Sequence, residues 1–271
     1  MALPTLEQLL SARVHLGHLA SKWHPHFAPY LLAKHRRRHV IDLHKTLAAL
    51  EEAQQFMAQL LGQGKKILFV ATKRQAKHSV AAFAEALEQP HVTQRWMGGL
   101  LTNFSAFQKR VKLLERMRQQ EETPTYQGLT KREQLILHRK NKKLTKVFDG
   151  IRHINRLPAA VFVVDVRREH TAVQEARKLG LPVVALIDTH ADPRLVQYPI
   201  PANDDARAAI DILLAALQEP LVAAWQAHKA SPQAAAHQVP HGPTRHGAVV
   251  VPAASPAVAA GQAATLQRPR A

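Results

Sequence analysis

Cysteine is absent from the 271-residue sequence. This absence excludes disulfide frameworks, thiolate zinc sites and cysteine nucleophiles. The sequence also lacks a run of 18 apolar residues, so we expect no bilayer-spanning segment. Its first ten residues include Glu7 and no lysine or arginine, which is not typical of a secretory signal or an Arg-rich transit peptide. We therefore expect a soluble protein that works inside the compartment where it is made.

Acidic residues are scarce relative to basic ones, with 20 Asp and Glu against 37 Lys and Arg. The formal net charge is +17, and the pI is about 10.6. This imbalance indicates a polyanionic partner, for which nucleic acid is favoured over a membrane. Hydrophobic residues make up 46% of the chain, which is enough to build a core in one or two domains.

The last part of the chain, residues 230–271, contains no acidic residue and consists mainly of Ala, Pro, Gln, Val and His. It has no apolar periodicity, so its composition predicts a disordered tail. Its only Lys or Arg residues are Arg245, Arg268 and Arg270, so the remainder of the chain keeps a net charge of 17 − 3 = +14. The basic character therefore belongs to the folded part.

Strand and helix signals alternate in the core that we assign to residues 1–101 and 158–229. Continuous apolar runs at 66–71, 161–164 and 183–187 are typical of strands covered on both faces. Amphipathic or capped segments predict helices over 46–61, 72–88 and 171–179 and from residue 203 onward. This alternation predicts an α/β fold with a parallel sheet and helices on both faces.

Two of these helix starts rest on capping residues. Thr72 and Gln75 have capping-box spacing, which predicts a helix that begins at residue 72. Asn203 is the expected N-cap of the last helix, with Asp204 and Asp205 in its first turn, where the helix dipole favours acids.

Residues 102–157 lack a strand signal and contain two helical runs, 103–120 and 129–148, the second of which opens with a capping box formed by Thr130 and Glu133. Thr123, Pro124 and Gly128 predict the turn between the runs. Residues 109–156 hold fourteen basic and five acidic residues. Dense charge and a narrow apolar seam predict an inserted antiparallel helical hairpin that projects from the core.

The sequence carries no motif of a nucleotide-binding or hydrolytic enzyme. No Gly-rich loop follows a predicted strand, and the turn after the first one reads Ala71-Thr-Lys-Arg-Gln75 where a dinucleotide site needs G-x-G-x-x-G. A G-x-S-x-G nucleophile elbow is also missing. We therefore predict that the protein is not an enzyme, with no catalytic residue and no cofactor.

Acidic residues do follow the predicted strands, and with His15 or His18 they suggest a divalent-metal site as an alternative. These acids are Asp165, Asp188, Asp192, Asp204 and Asp205. We favour a structural interpretation, because Asp204 and Asp205 are accounted for by a helix N-terminus and Asp192 starts a turn with Pro193. No metal ligand is predicted.

Two basic segments are the candidate nucleic-acid contacts in the core. The first offers Lys22, Lys34, Arg36, Arg37 and Arg38, with Trp23, Phe27 and Tyr30 interleaved. These aromatic rings are able to stack on bases or to anchor the loop, and anchoring is favoured because large aromatic side chains usually pack.

The second segment offers Lys73, Arg74 and Lys77 in the first turns of a predicted helix, followed by Arg95 and Trp96. Cations at a helix start oppose the helix dipole unless an anion binds there, so this end is a candidate phosphate site.

Several longer motifs follow one another along the chain. They include Leu9-Leu-Ser-Ala-Arg-Val-His-Leu-Gly-His18, Trp23-His-Pro25, Val40-Ile-Asp-Leu43, Thr72-Lys-Arg-Gln-Ala76, Gln94-Arg-Trp-Met-Gly-Gly99, Leu101-Thr-Asn-Phe104, Leu129-Thr-Lys-Arg-Glu133, Glu175-Ala-Arg-Lys-Leu-Gly180 and Ile200-Pro-Ala-Asn-Asp-Asp-Ala206. With this order and spacing, residues 6–221 resemble the bacterial-type small-subunit ribosomal protein two, or "S-two", family. The chain departs from the family pattern where Arg13 replaces Gly and where His24-Pro-His26 replaces Asn-Pro-Lys.

The resemblance implies a flavodoxin-like α/β domain with a projecting helical hairpin and no catalytic activity. It implies that the protein binds small-subunit ribosomal RNA, contacts neighbouring ribosomal proteins and helps dock the OB-repeat messenger-binding ribosomal protein. The implied location is the ribosome, in a bacterial cytoplasm or a plastid stroma. The expected RNA contacts add Asn103, Lys109, Arg110, Lys131 and Arg132 to the residues given above.

Two alternatives stay open from the residues alone. One is an α/β enzyme that binds a phosphate-bearing ligand, as the sheet would suggest. The other is a free-standing RNA-binding regulator that uses the basic hairpin. Cosedimentation with small subunits after a high-salt wash would separate them from a ribosomal protein.

Overall fold

The computed structural model describes residues 3–121, 126, 128–152 and 154–231. The strands are β1 (Leu16–Leu19), β2 (Leu31–His35), β3 (Arg38–Ile41), β4 (Ile67–Val70), β5 (His91–Val92), β6 (Ala160–Val164), β7 (Val183–Ile187) and β8 (Tyr198–Pro201). The helices are α1 (Leu6–Ser11), α2 (Leu43–Gly62), α3 (Lys77–Ala86), α4 (Phe104–Glu121), α5 (Lys131–Phe148), α6 (His170–Lys178) and α7 (Arg207–Ala230). Short 3-10 turns lie at Ala20–Lys22, Pro25–Tyr30, Asp149–Ile151 and Pro193–Leu195.

The main sheet has five parallel strands in the order β5-β4-β6-β7-β8. Every residue of β4, β6 and β7 is buried, as expected for strands that have helices on both faces. The predicted α/β class with a parallel sheet is therefore confirmed. The strand order reverses at β4, because β5 lies on one side of it and β6 on the other. Such a switch point opens a crevice at the carboxyl ends of the strands.

Alternate residues of the strands enter two apolar clusters, one on each face of the sheet. Phe69 and Phe162 pack with residues of α2, α3 and α7 on one face. Leu68 and Val163 pack with residues of α4, α5 and α6 on the other face. The period-2 alternation of strand side chains produces this division, because successive residues point to opposite faces.

Helix α7 is long and apolar enough, by length and composition, to cross a membrane. In this structure it packs along α2 and α3. Leu213, Leu217 and Leu221 are buried in the first apolar cluster, so the apolar residues of α7 serve the core.

A second, antiparallel sheet of three strands, β1-β3-β2, precedes the main sheet and is not among the strands predicted above. A hydrogen bond from the amide of His18 to Oγ1 of Thr189 (3.0 Å) joins it to the main sheet. This approach requires Gly17, because a Cβ there would lie 2.4 Å from Cγ2 of Thr189.

Helices α4 and α5 form a contacting pair between β5 and β6. The rings of Phe107 and Phe148 lie 5.3 Å apart, and Oε1 of Glu121 lies 3.7 Å from Nδ1 of His138, so the helices run antiparallel. The expectation of a pair that merely stands off the core needs correction, because Phe107 and Phe148 belong to the second apolar cluster. The predicted turn residues Thr123 and Pro124 lie outside the described residues, as does most of the predicted tail.

The predicted capping box at Thr72 is wrong. Helix α3 begins at Lys77, and its N-cap, Ala76, offers no side-chain hydrogen bond. Both the amide and the hydroxyl of Thr72 instead donate to the Glu169 carboxylate. A partner 97 residues away has replaced the local cap.

The predicted start of the last helix is also wrong. Helix α7 begins at Arg207 after Ala206 as N-cap. Asn203 lies one turn earlier, and its Oδ1 accepts hydrogen bonds from the amides of Asp205 (2.9 Å) and Ala206 (3.1 Å). Asp204 and Asp205 therefore lie before the helix and are free to serve a different purpose.

Candidate nucleic-acid interface

Charged and polar side chains converge at the carboxyl ends of the parallel strands. We call this group the inner cluster, and its members are His18, Lys73, Asp165, Asp188, His190, Asp204 and Asp205. Lys73 follows β4, Asp165 follows β6 and Asp188 follows β7. The topology brings these residues together because the carboxyl ends of parallel strands meet at one edge of the sheet.

Lys73 lies at the centre of the inner cluster and is only 7% exposed. Its Nζ lies 2.7 Å from Asp204 Oδ1, 2.6 Å from Asp205 Oδ1 and 3.4 Å from Asp165 Oδ2. Burial lowers its pKa, but these carboxylates outweigh burial and raise the pKa above its ordinary value. The assignment of Lys73 to a phosphate contact is corrected, because its ammonium is buried and already paired.

The carboxylates of the cluster have opposite pKa shifts. Burial raises the pKa of Asp165, but hydrogen bonds from His190 and the Arg168 amide, with the charge of Lys73, lower it to about 2. Burial and the neighbouring carboxylates of Asp188 and Asp165 raise the pKa of Asp204 to about 7, against the effect of Lys73. The different surroundings of Asp165 and Asp204 thus give two acids in one pocket widely different pKa values.

Part of the inner cluster can hold a divalent cation. His18, Asp188, His190 and Asp204 each offer one ligand atom, and these atoms lie within 4.8 Å of one another. Asp188 Oδ2, His190 Nδ1 and Asp204 Oδ2 are buried and have no hydrogen-bond partner among the described residues. The favoured interpretation of these acids as helix and turn residues did not anticipate this convergence, which the metal alternative had raised for Asp188, Asp204 and His18. The four residues come from β1 and from two loops that are distant from it in the sequence.

A buried carboxylate that the sequence reasoning missed organises the loop after β5. Glu175 accepts hydrogen bonds from Trp96 Nε1 (3.0 Å) and the Gly99 amide (2.8 Å) at Oε1. Its Oε2 accepts from the amides of Leu101 (3.0 Å) and Thr102 (3.2 Å). Burial raises the pKa of Glu175, but these donors outweigh burial and lower it. The loop that presents Arg95 is therefore held by one side chain of α6.

Strands β2 and β3 form the basic hairpin, residues 31–41, which presents cations to solvent. Lys34, Arg36, Arg37 and Arg38 are all exposed. Within the described part of the chain, these four side chains have no carboxylate partner. The structure thus separates two kinds of charge, since the cation of the inner cluster is buried among acids and those of the hairpin face water.

Arg36 occupies the first position of the two-residue turn between β2 and β3, where its φ is 54°. Tight hairpin turns need positive φ at this position, which favours Gly, Asn or Asp. Arg36 therefore adopts a left-handed backbone conformation that residues other than Gly, Asn and Asp rarely adopt.

The other predicted contacts divide by exposure. The exposed ones are Lys22, Arg74, Arg95, Asn103, Lys109, Arg110, Lys131 and Arg132. Lys77 and Trp96 are half-buried, and the indole N–H of Trp96 is taken by Glu175. We call α4 and α5 the basic helix pair, since its exposed side chains include Lys109, Arg110, Lys131 and Arg132.

The aromatic residues of the first loop differ from one another. Phe27 is fully buried, and its ring lies 5.4 Å from that of Tyr30, as the anchoring interpretation expects. Trp23 is 36% exposed and rests against the ring of His39 at 5.0 Å. Trp23 packs against that ring and still exposes part of its own surface, so its contact with a base stays a prediction.

Comparison with known proteins identifies a family for almost the whole described chain. The family model described as "Ribosomal protein S2" matches residues 9–224. The "Small ribosomal subunit protein uS2" of Cytophaga hutchinsonii is 48% identical over 211 residues, which cover 78% of this chain and 83% of that protein. The protein of the same name from Chlorobaculum tepidum is 44% identical over 219 residues, which cover 81% of this chain and 88% of that protein. These relatives carry the names of ribosomal proteins, not of enzymes.

Proposed function

The chain belongs to the ribosomal protein S2 family, and on that basis we propose that it is a structural constituent of the small ribosomal subunit and binds ribosomal RNA. The basic hairpin and the basic helix pair are the proposed contact surfaces. The observation that carries this assignment is the set of exposed cations at Lys34, Arg36, Arg37 and Arg38, which have no carboxylate partner among the described residues. Exposed cations without acidic partners are ready to replace the counterions of a phosphate backbone.

Three further features support RNA as the polyanion. The exposed face of Trp23 lies close to the basic hairpin through His39 and offers a surface for base stacking. Guanidinium groups, which dominate the tip of the hairpin, bind phosphate with two parallel hydrogen bonds. The loop that carries Arg95 is held by Glu175 through Trp96 and Gly99, so the backbone beside this exposed cation is ordered before binding.

We also propose a ribosomal location and a role in docking a messenger-binding ribosomal protein built from OB repeats. This part of the proposal rests on the family resemblance. Its test is to deplete the chain from cells and to measure how much of the messenger-binding protein remains on purified small subunits. Unchanged occupancy would contradict it.

The RNA-binding proposal is tested by charge reversal at the hairpin tip. We expect Arg36→Glu, Arg37→Glu and Arg38→Glu together to weaken incorporation into small subunits. In vitro, each lost phosphate contact should reduce the slope of log affinity against log salt by about 0.7–0.9. Retained folding is checked by circular dichroism and the melting temperature.

A matched control reverses three exposed cations that lie away from the hairpin, toward the amino ends of the parallel strands, namely Lys65, Arg177 and Lys178. Both variants change the net charge by the same amount, so a general electrostatic effect would weaken them equally. We expect the hairpin variant to lose more affinity and more of the salt slope. Equal losses, or normal incorporation of the hairpin variant, would refute the proposed contact surface.

A further inference from the structure

A second group of metal-type ligands lies outside the inner cluster. We propose that His24, His26 and Asp192, which we call the His–Asp site, bind a divalent transition-metal ion of the zinc class. Each of the three offers one ligand atom, and these atoms lie within 4.8 Å of one another. None of them belongs to the inner cluster or to the cations assigned to RNA.

The backbone brings the three residues together through two short turns. His24 and His26 flank Pro25 at the start of the turn Pro25–Tyr30. Asp192 is the N-cap of the turn Pro193–Leu195, which contacts the first turn. The amide of His24 donates to the carbonyl oxygen of Thr189 (2.8 Å), so the histidine segment is tied to the loop that carries Asp192.

The distances fit a shared ion. His26 Nδ1 lies 3.5 Å from Asp192 Oδ1, too far for a strong hydrogen bond. Two ligands that each lie about 2.1 Å from a tetrahedral ion are separated by roughly 3.4 Å. The rings of His24 and His26 have centroids 4.9 Å apart and planes 44° apart, so they are tilted toward each other and not stacked in parallel.

The ligands are held in place by neighbouring groups. Asp192 Oδ1 accepts the Arg194 amide (3.1 Å), and Oδ2 accepts Arg194 Nη2 (3.3 Å). His24 Nδ1 accepts the amide of His26 (3.3 Å), and because a neutral imidazole has one free lone pair, an ion bound to His24 would replace this contact. Outer-shell contacts such as those of Arg194 with Asp192 orient the ligands of a metal site.

The donor set selects the class of ion. Two imidazoles with one carboxylate suit zinc and its transition-metal neighbours, whereas magnesium and calcium prefer oxygen ligands. The His26 side chain is 42% exposed, so a fourth position is open to water or to another molecule. A bound ion would tie the segment before β2 to the loop after β7 and stabilise the junction of the two sheets.

A different arrangement would be a simple ion pair between a protonated His26 and Asp192. The double variant His24→Asn and His26→Lys separates the two ideas. Asparagine keeps an acceptor for the amide of residue 26, and lysine keeps a positive charge beside Asp192. The variant therefore preserves the cap and the ion pair and removes both imidazole ligands.

The test uses the purified full-length chain after removal of metal with a chelator. Zinc is titrated by calorimetry, and cobalt(II) is titrated by its visible absorption. Asp204→Asn is the common background, because it weakens the cation-binding capacity of the inner cluster. In this background we expect the chain to bind one zinc ion that magnesium displaces poorly, and this binding should disappear when His24→Asn and His26→Lys are added.

Stability gives a second measurement. We expect zinc at a hundredfold excess over its Kd to raise the melting temperature by about 5–10 °C in the Asp204→Asn background. The double histidine variant should lose this rise and keep its metal-free melting temperature. Equal zinc stoichiometry with and without the two histidines, or an equal response to magnesium, would overturn the assignment.

Discussion

The inner cluster and the basic hairpin both concentrate charge, but the cation of the inner cluster is buried among acids and the cations of the hairpin are exposed. In the inner cluster one ammonium, from Lys73, lies within 3.4 Å of three carboxylates and is closed off from water. In the hairpin, Arg36, Arg37 and Arg38 are exposed and have no carboxylate partner among the described residues. Charge that is balanced inside the fold supports the fold, whereas charge left unbalanced at the surface is available to a partner. Substitutions in the two regions should therefore separate stability from RNA binding.

The largest expected effect follows removal of the buried ammonium. Lys73→Met keeps the length of the side chain but leaves Asp165, Asp204 and Asp205 without their cation. Because breaking a buried ion pair strands its partners, we expect the free energy of unfolding to fall by about 3–5 kcal/mol. The measurement is urea unfolding at pH 7.5. The control is Arg74→Met, the exposed neighbour, which should change stability by less than about 0.5 kcal/mol.

The pH dependence of Lys73→Met has a defined sign. The pKa of Asp204, already raised to about 7 in the native protein, is above its ordinary value. The fold thus favours the protonated form of Asp204, and the stability that this protonation contributes is lost as the pH rises through about 7. The deficit of the variant should shrink when the pH is lowered from 8 to 5.5, since one stranded charge is then neutralised. A deficit independent of pH, or one equal to that of Arg74→Met, would contradict the buried-pair account.

A second, smaller loss of stability should follow Glu175→Gln. The amide group of glutamine turns a donor toward the amides of Leu101 and Thr102 or of Gly99, so at least one buried donor loses its acceptor. We expect a cost of about 2–3 kcal/mol. The control is Glu52→Gln on the exposed face of α2. Similar unfolding midpoints for these two variants would show that Glu175 does not hold the loop.

The lowered pKa of Glu175 fixes the direction of its pH effect. Its stabilising contribution is present above the ordinary glutamate pKa and is lost as the pH falls through the lower, folded-state value. The difference between native protein and Glu175→Gln should therefore narrow in acid. RNA affinity of the variant reports whether the fixed loop matters for Arg95.

How far the fold follows from local sequence is visible in the same residues. Strands β4, β6 and β7 were predictable because they are continuous apolar runs between turn signals. The capping box at Thr130 and Glu133 also forms as its spacing predicts. The small antiparallel sheet was missed, because β2 is half-buried only at Leu31 and exposed elsewhere, so it has no apolar alternation.

The site was less predictable than the fold because its partners are distant in the chain. Lys73 meets Asp165 and Asp204 across 92 and 131 residues. No spacing rule connects such positions, so Lys73 looked like an exposed cation on a helix start. The exposure of the arginines at 36–38 was easier to predict from the sequence, since a run of like charges requires solvent on at least one side.

A moderate effect is expected at Asn203. Its Oδ1 accepts the amides of Asp205 and Ala206, and its Nδ2 donates to the carbonyl oxygen of Arg13 (3.0 Å). Asn203→Ala removes all three bonds from a buried site, and we expect a loss of about 1–2 kcal/mol. Asn203→Asp keeps the acceptor and loses the donor, so it should be intermediate. If Asn203→Ala unfolds at the midpoint of the native protein, the junction between Arg13 and the loop before α7 is not stabilised by this side chain.

The smallest expected change in stability has the opposite sign and bears most directly on the comparison. Arg36 holds φ at 54° in the hairpin turn, a conformation that costs an L-residue about 1–2 kcal/mol. Arg36→Gly relieves this strain, but glycine loses more backbone entropy on folding, so the net gain should be about 0.5–1 kcal/mol. The same change removes one exposed cation and should lower RNA affinity, with a salt slope that is shallower by about 0.7–0.9. Arg37→Gly is the matched control, because Arg37 is exposed in the same turn without a positive φ. It should lose a similar share of affinity with no gain in stability. If Arg36→Gly instead weakens the fold and leaves RNA affinity unchanged, Arg36 belongs with the charges that support the fold, and the division between the two regions fails at the hairpin tip.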